Sequence, residues 1–478
     1  MTFAELTPAR YRRLTARRAA LLVADGAVSP VHLAEHALAL AREAEPRINA
    51  YVRLLDRDAL RAAAKREAEA RAGRPRGALH GVPIAVKDNF YVAGHPVSRG
   101  SRTSSHAAVA ENAPMIERVL AAGAVIVGKT TMPEFGWKGT GSSPLTGITR
   151  NPWNAARNPG GSSAGSAATV AAGAVPLALG SDAGGSIRIP AAFCGTVGVK
   201  PTLGLVPVWP GTVTGSLSHV GPLARSVEDA ALAVAATAGP DPRDPLSYGA
   251  SDRTSREALA RLRAGGLRVA VAAAPFGVAP EDGVAAVFAD AVARLKAAVP
   301  AAWSDIALDI ALPRGIFETL WVTGRGFGFA DTIAARAAEM DPGLVRCAAL
   351  ARGCSAGDLL RAIDDRRRLS AALAALLEAC DVLVTPTMPL AAFAAGDEVP
   401  PGGEADAPLP WVSWTPYTYP FNLSGQPAIS IPCGLDRDRL PVGLQVVAQW
   451  GADRLAMAVA RRFEPVLGRA RPAPLNAP

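Results

Sequence analysis

The 478-residue chain reads as an α/β protein with one large central sheet built from both halves of the chain and helices on its faces. Three observations predict this. Short apolar runs punctuated by glycine recur along the chain, alanine-rich helical stretches lie between them, and no low-complexity linker or internal repeat divides the two halves. Strands alternating with helices are the pattern of an α/β sheet. Hydrophobic residues make up 49% and charged residues 19%, a balance that supports a large core and speaks against disorder.

The elements follow in order. Residues 1–75 read as a helical segment packed on the core. Residues 19–24 form an apolar run, Ser29-Pro30 is a helix start signal, and residues 56–72 are rich in alanine and arginine. Residues 73–77 break the pattern. Residues 76–478 read as a single α/β domain. Strands are expected at Val82-Pro83-Ile84-Ala85-Val86, Val125-Ile126-Val127 and Val175-Pro176-Leu177-Ala178-Leu179, with a helix-like alanine run at 167–174. Residues 240–375 read as mostly helical, with one strand-like piece at Leu267-Arg268-Val269-Ala270-Val271. A last strand group is expected at Val382-Leu383-Val384, Ala428-Ile429-Ser430-Ile431 and Leu444-Gln445-Val446-Val447.

Composition narrows the function. The net charge of +8 suggests nucleic acid, but basic residues are mixed with acids, as in Asp364-Asp365-Arg366-Arg367-Arg368, which fits solvated helix faces. No nucleic-acid partner is expected. No run approaches the roughly 20 apolar residues of a membrane span, and residues 1–13 lack a signal core, so a cytoplasmic protein is expected. The five cysteines are widely spaced and no His-Glu-x-x-His occurs, so neither a disulfide framework, a metal site nor a cofactor is expected. Of the 50 basic residues only Lys65, Lys87, Lys129, Lys138, Lys200 and Lys296 are lysines. A lysine in an apolar stretch of such a chain invites a chemical explanation.

Two motifs fail on physical grounds. Residues 123–130 match the phosphate-loop pattern, but Val125, Ile126 and Val127 form a strand where flexible backbone is needed. Gly161-Ser162-Ser163-Ala164-Gly165 matches a nucleophile elbow, yet a loop precedes it and only His219 follows as a histidine. A third block carries more. Residues 160–202 hold two serine-glycine clusters, Ser162/Ser163 and Ser186, flanking a helix and a strand, so both can return to one end of the sheet. In Gly180-Ser181-Asp182-Ala183-Gly184-Gly185-Ser186 bare backbone N–H groups could converge on an oxyanion, or the glycines could simply form a turn. Lys87 ends the strand from Val82, where ligands of open α/β sheets gather.

Together these segments resemble the amidase signature family. The resemblance rests on residues 160–202, on Gly81 to Asp88, on residues 123–130 and on Asn151-Pro152-Trp153. It extends to Val384-Thr385-Pro386-Thr387, Phe421 to Ala428 and Pro441-Val442-Gly443-Leu444-Gln445. It implies that family's fold, with a large mixed central β-sheet covered by helices on both faces. It also implies a Ser–cis-Ser–Lys triad of Ser186, Ser162 and Lys87, with the cis peptide at Gly161-Ser162. The backbone N–H groups of Ala183, Gly184, Gly185 and Ser186 would form the oxyanion hole, with Ser163, Asp182 and Arg188 in supporting positions. The implied activity is hydrolysis of a small-molecule carboxylic amide through an acyl-enzyme. Arginine cannot act as the base because its pKa stays above about 12, whereas a buried lysine can lose its charge.

Within the family a free-standing amidase is favoured over the glutaminase subunit of the tRNA-dependent amidotransferase, because Ile189 rather than glutamine follows Arg188. The segment Met132 to Gly139 also resembles free amidases. A non-catalytic binding module is the distant alternative, since a bare scaffold would not need this lysine with these two serines. Met132, Phe135 and Trp137, with Trp414 and Tyr417 of an aromatic-rich loop, are candidates for an apolar acyl pocket. The helical first 75 residues offer a surface for a homodimer.

Overall fold

Strands from Tyr51 to Ala448 join one mixed sheet, and its order explains how distant segments meet. The computed structural model describes residues 6–249 and 255–474. Among these the sheet has 11 strands. Across it they run Tyr51–Leu54, Val125–Thr130, Pro83–Lys87, Leu177–Asp182, His219–Ala224 and Val197–Lys200. The order continues with Ala428–Leu435, Pro441–Ala448, Val382–Pro386, Leu267–Val271 and Ala301–Asp305. Pro83–Lys87 runs parallel to both its neighbours, while the strands from His219 to Ala448 pair antiparallel with one another.

Helices cover both faces, as the alternation of side chains shows. Val382 and Val384 enter one apolar core and Leu383 the other; Val269, Val271 and Ala270 divide the same way. Successive residues of a strand point to opposite faces, so each face carries its own core. The fully buried runs of Pro83–Lys87 and Val125–Thr130 are what a two-sided parallel strand requires. Each buried Val, Leu or Ile there contributes about 1.5–3 kcal/mol. At the N-terminal side, the Ser29 hydroxyl accepts the N–H of Val31 at 3.0 Å and Pro30 opens the helix Pro30–Ile48. No helix among the described residues is long and apolar enough to cross a membrane.

The structure adds four strands to the central sheet beyond those expected, and a separate two-stranded pair at Ser142–Ser143 and Gly147–Ile148. Tyr51–Leu54 lies within the segment read as helical and borrows its pairing from Val125–Thr130. Ala301–Asp305 sits at the far edge, in the region read as mostly helical. His219–Ala224 and Val197–Lys200 lie inside the sheet, yet carry Gly221-Pro222 and Gly198, which hide them from a search for unbroken apolar runs. The strand Val125–Thr130 also runs straight through Gly128-Lys129-Thr130, so the phosphate-loop pattern lies in a strand.

Candidate active site

Lys87 occupies the carboxyl end of a buried central strand, and its parallel neighbour Leu177–Asp182 ends beside it. Two loops complete the arrangement. One leads through Ser162 and Ser163 into the helix Ala164–Ala172, and the other runs from Ala183 to Ser186 before the helix Arg188–Cys194. Glycine makes the approach of these loops possible. A Cβ on Gly180 would lie 2.7 Å from Ser163 Oγ, and one on Gly161 would collide with Thr140 O. Neither position admits a side chain, which accounts for two of the glycines in the block at 160–202. The Gly161-Ser162 peptide is cis.

The Lys87 amine is fully buried and surrounded by oxygens that carry no charge. Its Nζ lies 2.7 Å from Ser162 Oγ, 3.1 Å from Ser163 Oγ and 3.0 Å from Ser181 Oγ. Burial pulls its pKa down to about 7, against an opposing pull from Asp182. A buried amine without a carboxylate at hydrogen-bond distance sheds its proton readily, because desolvation penalises only the charged form.

Asp182 behaves in the opposite way. Its carboxylate accepts from Arg188 Nε at 3.0 Å, Arg188 Nη2 at 3.2 Å and Asn422 Nδ2 at 2.8 Å. The backbone N–H groups of Gly185 (2.7 Å) and Ile187 (3.2 Å) also donate to it. Burial alone would raise its pKa, but the Arg188 guanidinium and the Asn422 amide hold it well below the usual carboxylate range. Arg188 also donates to Gln445 Oε1 at 2.8 Å and Asn422 Oδ1 at 2.7 Å. This buried network clamps both ends of the turn that carries Ser186.

A cavity of about 170 Å³, open to solvent, is lined by Ser162, Ser181, Asp182, Ala183 and Ser186. Its outer wall includes Met132, Phe135, Trp209, Trp321 and Phe329. The Phe135 and Phe329 ring centroids lie 4.5 Å apart. His219 also lines it; burial, then the Lys200 charge, pulls its imidazole well below the usual histidine range, so it is neutral. Its Nδ1 faces two carbonyl oxygens, Leu217 O at 2.9 Å and Asp182 O at 3.2 Å, which assigns the ring proton to Nδ1.

The expected residues divide into two groups. Lys87, Ser162, Ser163, Asp182, Ala183, Ser186 and Arg188 gather around this cavity floor, and Met132 and Phe135 line its wall. Gly185 differs from the others of its turn, because its N–H is donated to Asp182. Trp137, Trp414 and Tyr417 are not among the lining residues; each is used in packing. Trp137 lies against Gly343, Trp414 stacks near Phe193 and donates Nε1 to Glu398 O at 3.1 Å, and Tyr417 donates its hydroxyl to Val278 O at 2.6 Å. The partners that sequence reading left without a role are Ser181, His219, Asn422 and Gln445. Asn422 and Gln445 lie in the late motifs that carry the family resemblance, and Ser181 in the glycine-serine block. For His219 the sequence carried no functional signal.

Known proteins resemble this chain over nearly its whole length. A family model described as Amidase matches residues 32–457. The chain is 36% identical to a subunit of the glutamyl-tRNA(Gln) amidotransferase of Symbiobacterium thermophilum, over 96% of this chain and 98% of that protein. It is 34% identical to an acylamidase of Rhodococcus erythropolis, over 96% and 97% of the two. Among solved structures, 6-aminohexanoate cyclic dimer hydrolase complexed with substrate superposes with a TM-score of 0.87 at 30% identity, covering 97% of this chain and 100% of that one.

Proposed function

Because the chain belongs to the amidase family, we propose that it hydrolyses carboxylic amides through Ser186, Ser162 and Lys87, acting as a free-standing enzyme. The observation that carries this reading is the Lys87 amine, pulled down to about 7 and set 2.7 Å from Ser162 Oγ on the floor of the cavity that Ser186 lines.

Ser186 Oγ attacks the amide carbon, and its proton passes to Ser162 as the Ser162 proton passes to the Lys87 Nζ lone pair. The resulting oxyanion is held by the N–H groups of Ala183, Gly184 and Ser186, while Gly185 keeps the turn in shape through Asp182. The C–N bond then breaks as the proton returns from Lys87 through Ser162 to the departing nitrogen. An ester remains on Ser186, and water cleaves it by the same proton route in reverse. A base with a pKa near neutrality is matched to this task. Met132, Phe135 and Phe329 form the acyl-facing wall.

A second reading has its own support. The similarity to the amidotransferase protein of Symbiobacterium thermophilum favours a glutaminase that works with other subunits. Ile189 after Arg188 favours the free enzyme. An ammonia-release screen over aryl, alkyl and acidic amides with glutamine included decides between them. Release from several amides is the expected outcome; release from glutamine alone overturns the free-enzyme reading.

A further inference from the structure

The helix Arg314–Gly328 turns one stripe inward, and Phe317, Trp321 and Arg325 follow each other on it at one-turn spacing. The apolar pattern of that stripe calls for a hydrophobic residue at 325. An arginine stands there instead, 1% exposed. Its guanidinium carbon lies 3.4 Å from the Trp321 ring centroid, a cation–π stack. Both Trp321 and Arg325 line the cavity that holds Ser186.

No carboxylate of the described residues is within ion-pair distance of Arg325. Its Nε and Nη1 are buried and find no acceptor among the described residues, and Trp321 Nε1 is in the same condition. Burial disfavours the charge on the guanidinium, but an arginine keeps its proton at neutral pH, so the site holds a buried cation. The neighbouring thiol of Cys347 is pushed up to about 11 by burial and brings no compensating charge. The acid lining the cavity, Asp182, is already engaged by Arg188, Asn422 and two backbone N–H groups. A second cation, Arg99, also lines the cavity, and His219 is neutral. Two buried acceptors without partners, Asn89 Oδ1 and His219 Nε2, also belong to lining residues, but the Arg325 side of the wall, with Trp321 Nε1, carries unsatisfied donors and positive charge, in a place where an unpaired charge is costly.

We propose that Arg325, with Trp321 Nε1 beside it, binds a carboxylate carried by the substrate, so that the amides taken are those bearing a second, acidic group. This rests on the amidase reading and names its substrate class. A carboxylate accepts hydrogen bonds through two oxygens and donates none, which matches a guanidinium fork and an indole N–H. The aromatic wall of Phe135, Phe329 and Trp209 suits a hydrocarbon spacer between that carboxylate and the scissile amide. Glutamine fits less well, because its ammonium would face Arg99 and Arg325 with no free carboxylate in the lining.

The test compares half-amides of dicarboxylic acids (succinamate, glutaramate, adipamate) with alkanamides of the same length, by kcat/KM for ammonia release. The wild-type protein is expected to favour the best half-amide by at least about 100-fold, toward the roughly 10⁴-fold of sites whose buried polar groups are left unpaired by the wrong substrate. Arg325→Gln is expected to collapse that ratio mainly through KM. A ratio near one in the wild type, or a ratio unchanged in Arg325→Gln, overturns the proposal. Binding of glutaramate and of valeramide to the Ser186→Ala protein reads the same site without turnover and without altering Arg325. Tighter binding of glutaramate supports the carboxylate site, and equal binding overturns it. Should no amide release ammonia, the amidase reading falls, and glutaramate binding still decides the carboxylate site.

Discussion

Lys87 is the last residue and Lys129 the last but one of adjacent parallel strands, both are buried, and Val86 pairs in register with Lys129. Their surroundings separate them. Lys129 Nζ lies 2.7 Å from Asp88 Oδ1 and donates to Pro96 O at 2.8 Å. Burial lowers its pKa, and Asp88 opposes that shift both as a charge and as a hydrogen-bond partner. Lys87 has three hydroxyls at hydrogen-bond distance and the Asp182 charge only from beyond the clamp of Arg188. The difference teaches that burial alone does not make a base. A buried lysine with its own carboxylate is an ion pair that holds structure; one facing hydroxyls is ready to exchange a proton.

Substitutions at the two lysines sharpen this contrast. Lys87→Ala is expected to lower kcat by about 10³-fold, the scale of a lost general base, with the melting temperature largely kept. Lys129→Met should do the reverse. It leaves the Asp88 carboxylate buried without its cation, at a cost of about 3–5 kcal/mol in denaturant unfolding. Activity per folded molecule is expected to stay near wild type. A Lys129→Met protein that is stable but inactive would break the comparison.

A smaller effect is expected at Ser181, whose hydroxyl lies 3.0 Å from Lys87 Nζ and accepts from Asn89 Nδ2 at 2.9 Å. Ser181→Ala removes the hydrogen bond at Lys87, worth about 1 kcal/mol, together with the one from Asn89, so kcat should fall several-fold while KM changes little. A loss as large as that of Lys87→Ala would place Ser181, rather than Ser162, on the proton route.

The sequence made some of this legible and hid the rest for identifiable reasons. The strands Pro83–Lys87 and Val382–Pro386 announce themselves as apolar runs because both their faces are buried. His219–Ala224 does not, since Gly221 and Pro222 interrupt it and its pairing with Leu177–Asp182 is antiparallel and long-range. Lys87, Ser162 and Ser186 could be picked out because their types and the surrounding glycines form motifs. Arg325 could not, since an arginine in a helical segment reads as a solvated face until the helix is packed. Trp137, Trp414 and Tyr417 mislead for the converse reason. Aromatic residues near a site suggest a pocket, yet their rings and polar tips are used against Gly343, Glu398 and Val278. The aromatic lining of the cavity draws instead on Trp321 and Phe329, from the region read as mostly helical.

The central claim is that neutral Lys87 activates Ser186. It is tested most directly by the rate at which a sulfonyl fluoride labels the protein as pH is varied, with the modified residue located by mass spectrometry. Below about 7 the Lys87 amine is protonated and cannot accept the serine proton; above it the free amine can. The expected result is labelling at Ser186, rising with pH through a midpoint near 7, with both the rise and most of the rate lost in Lys87→Ala. Labelling at another residue, or a Ser186 rate with the same pH dependence in Lys87→Ala, would contradict it.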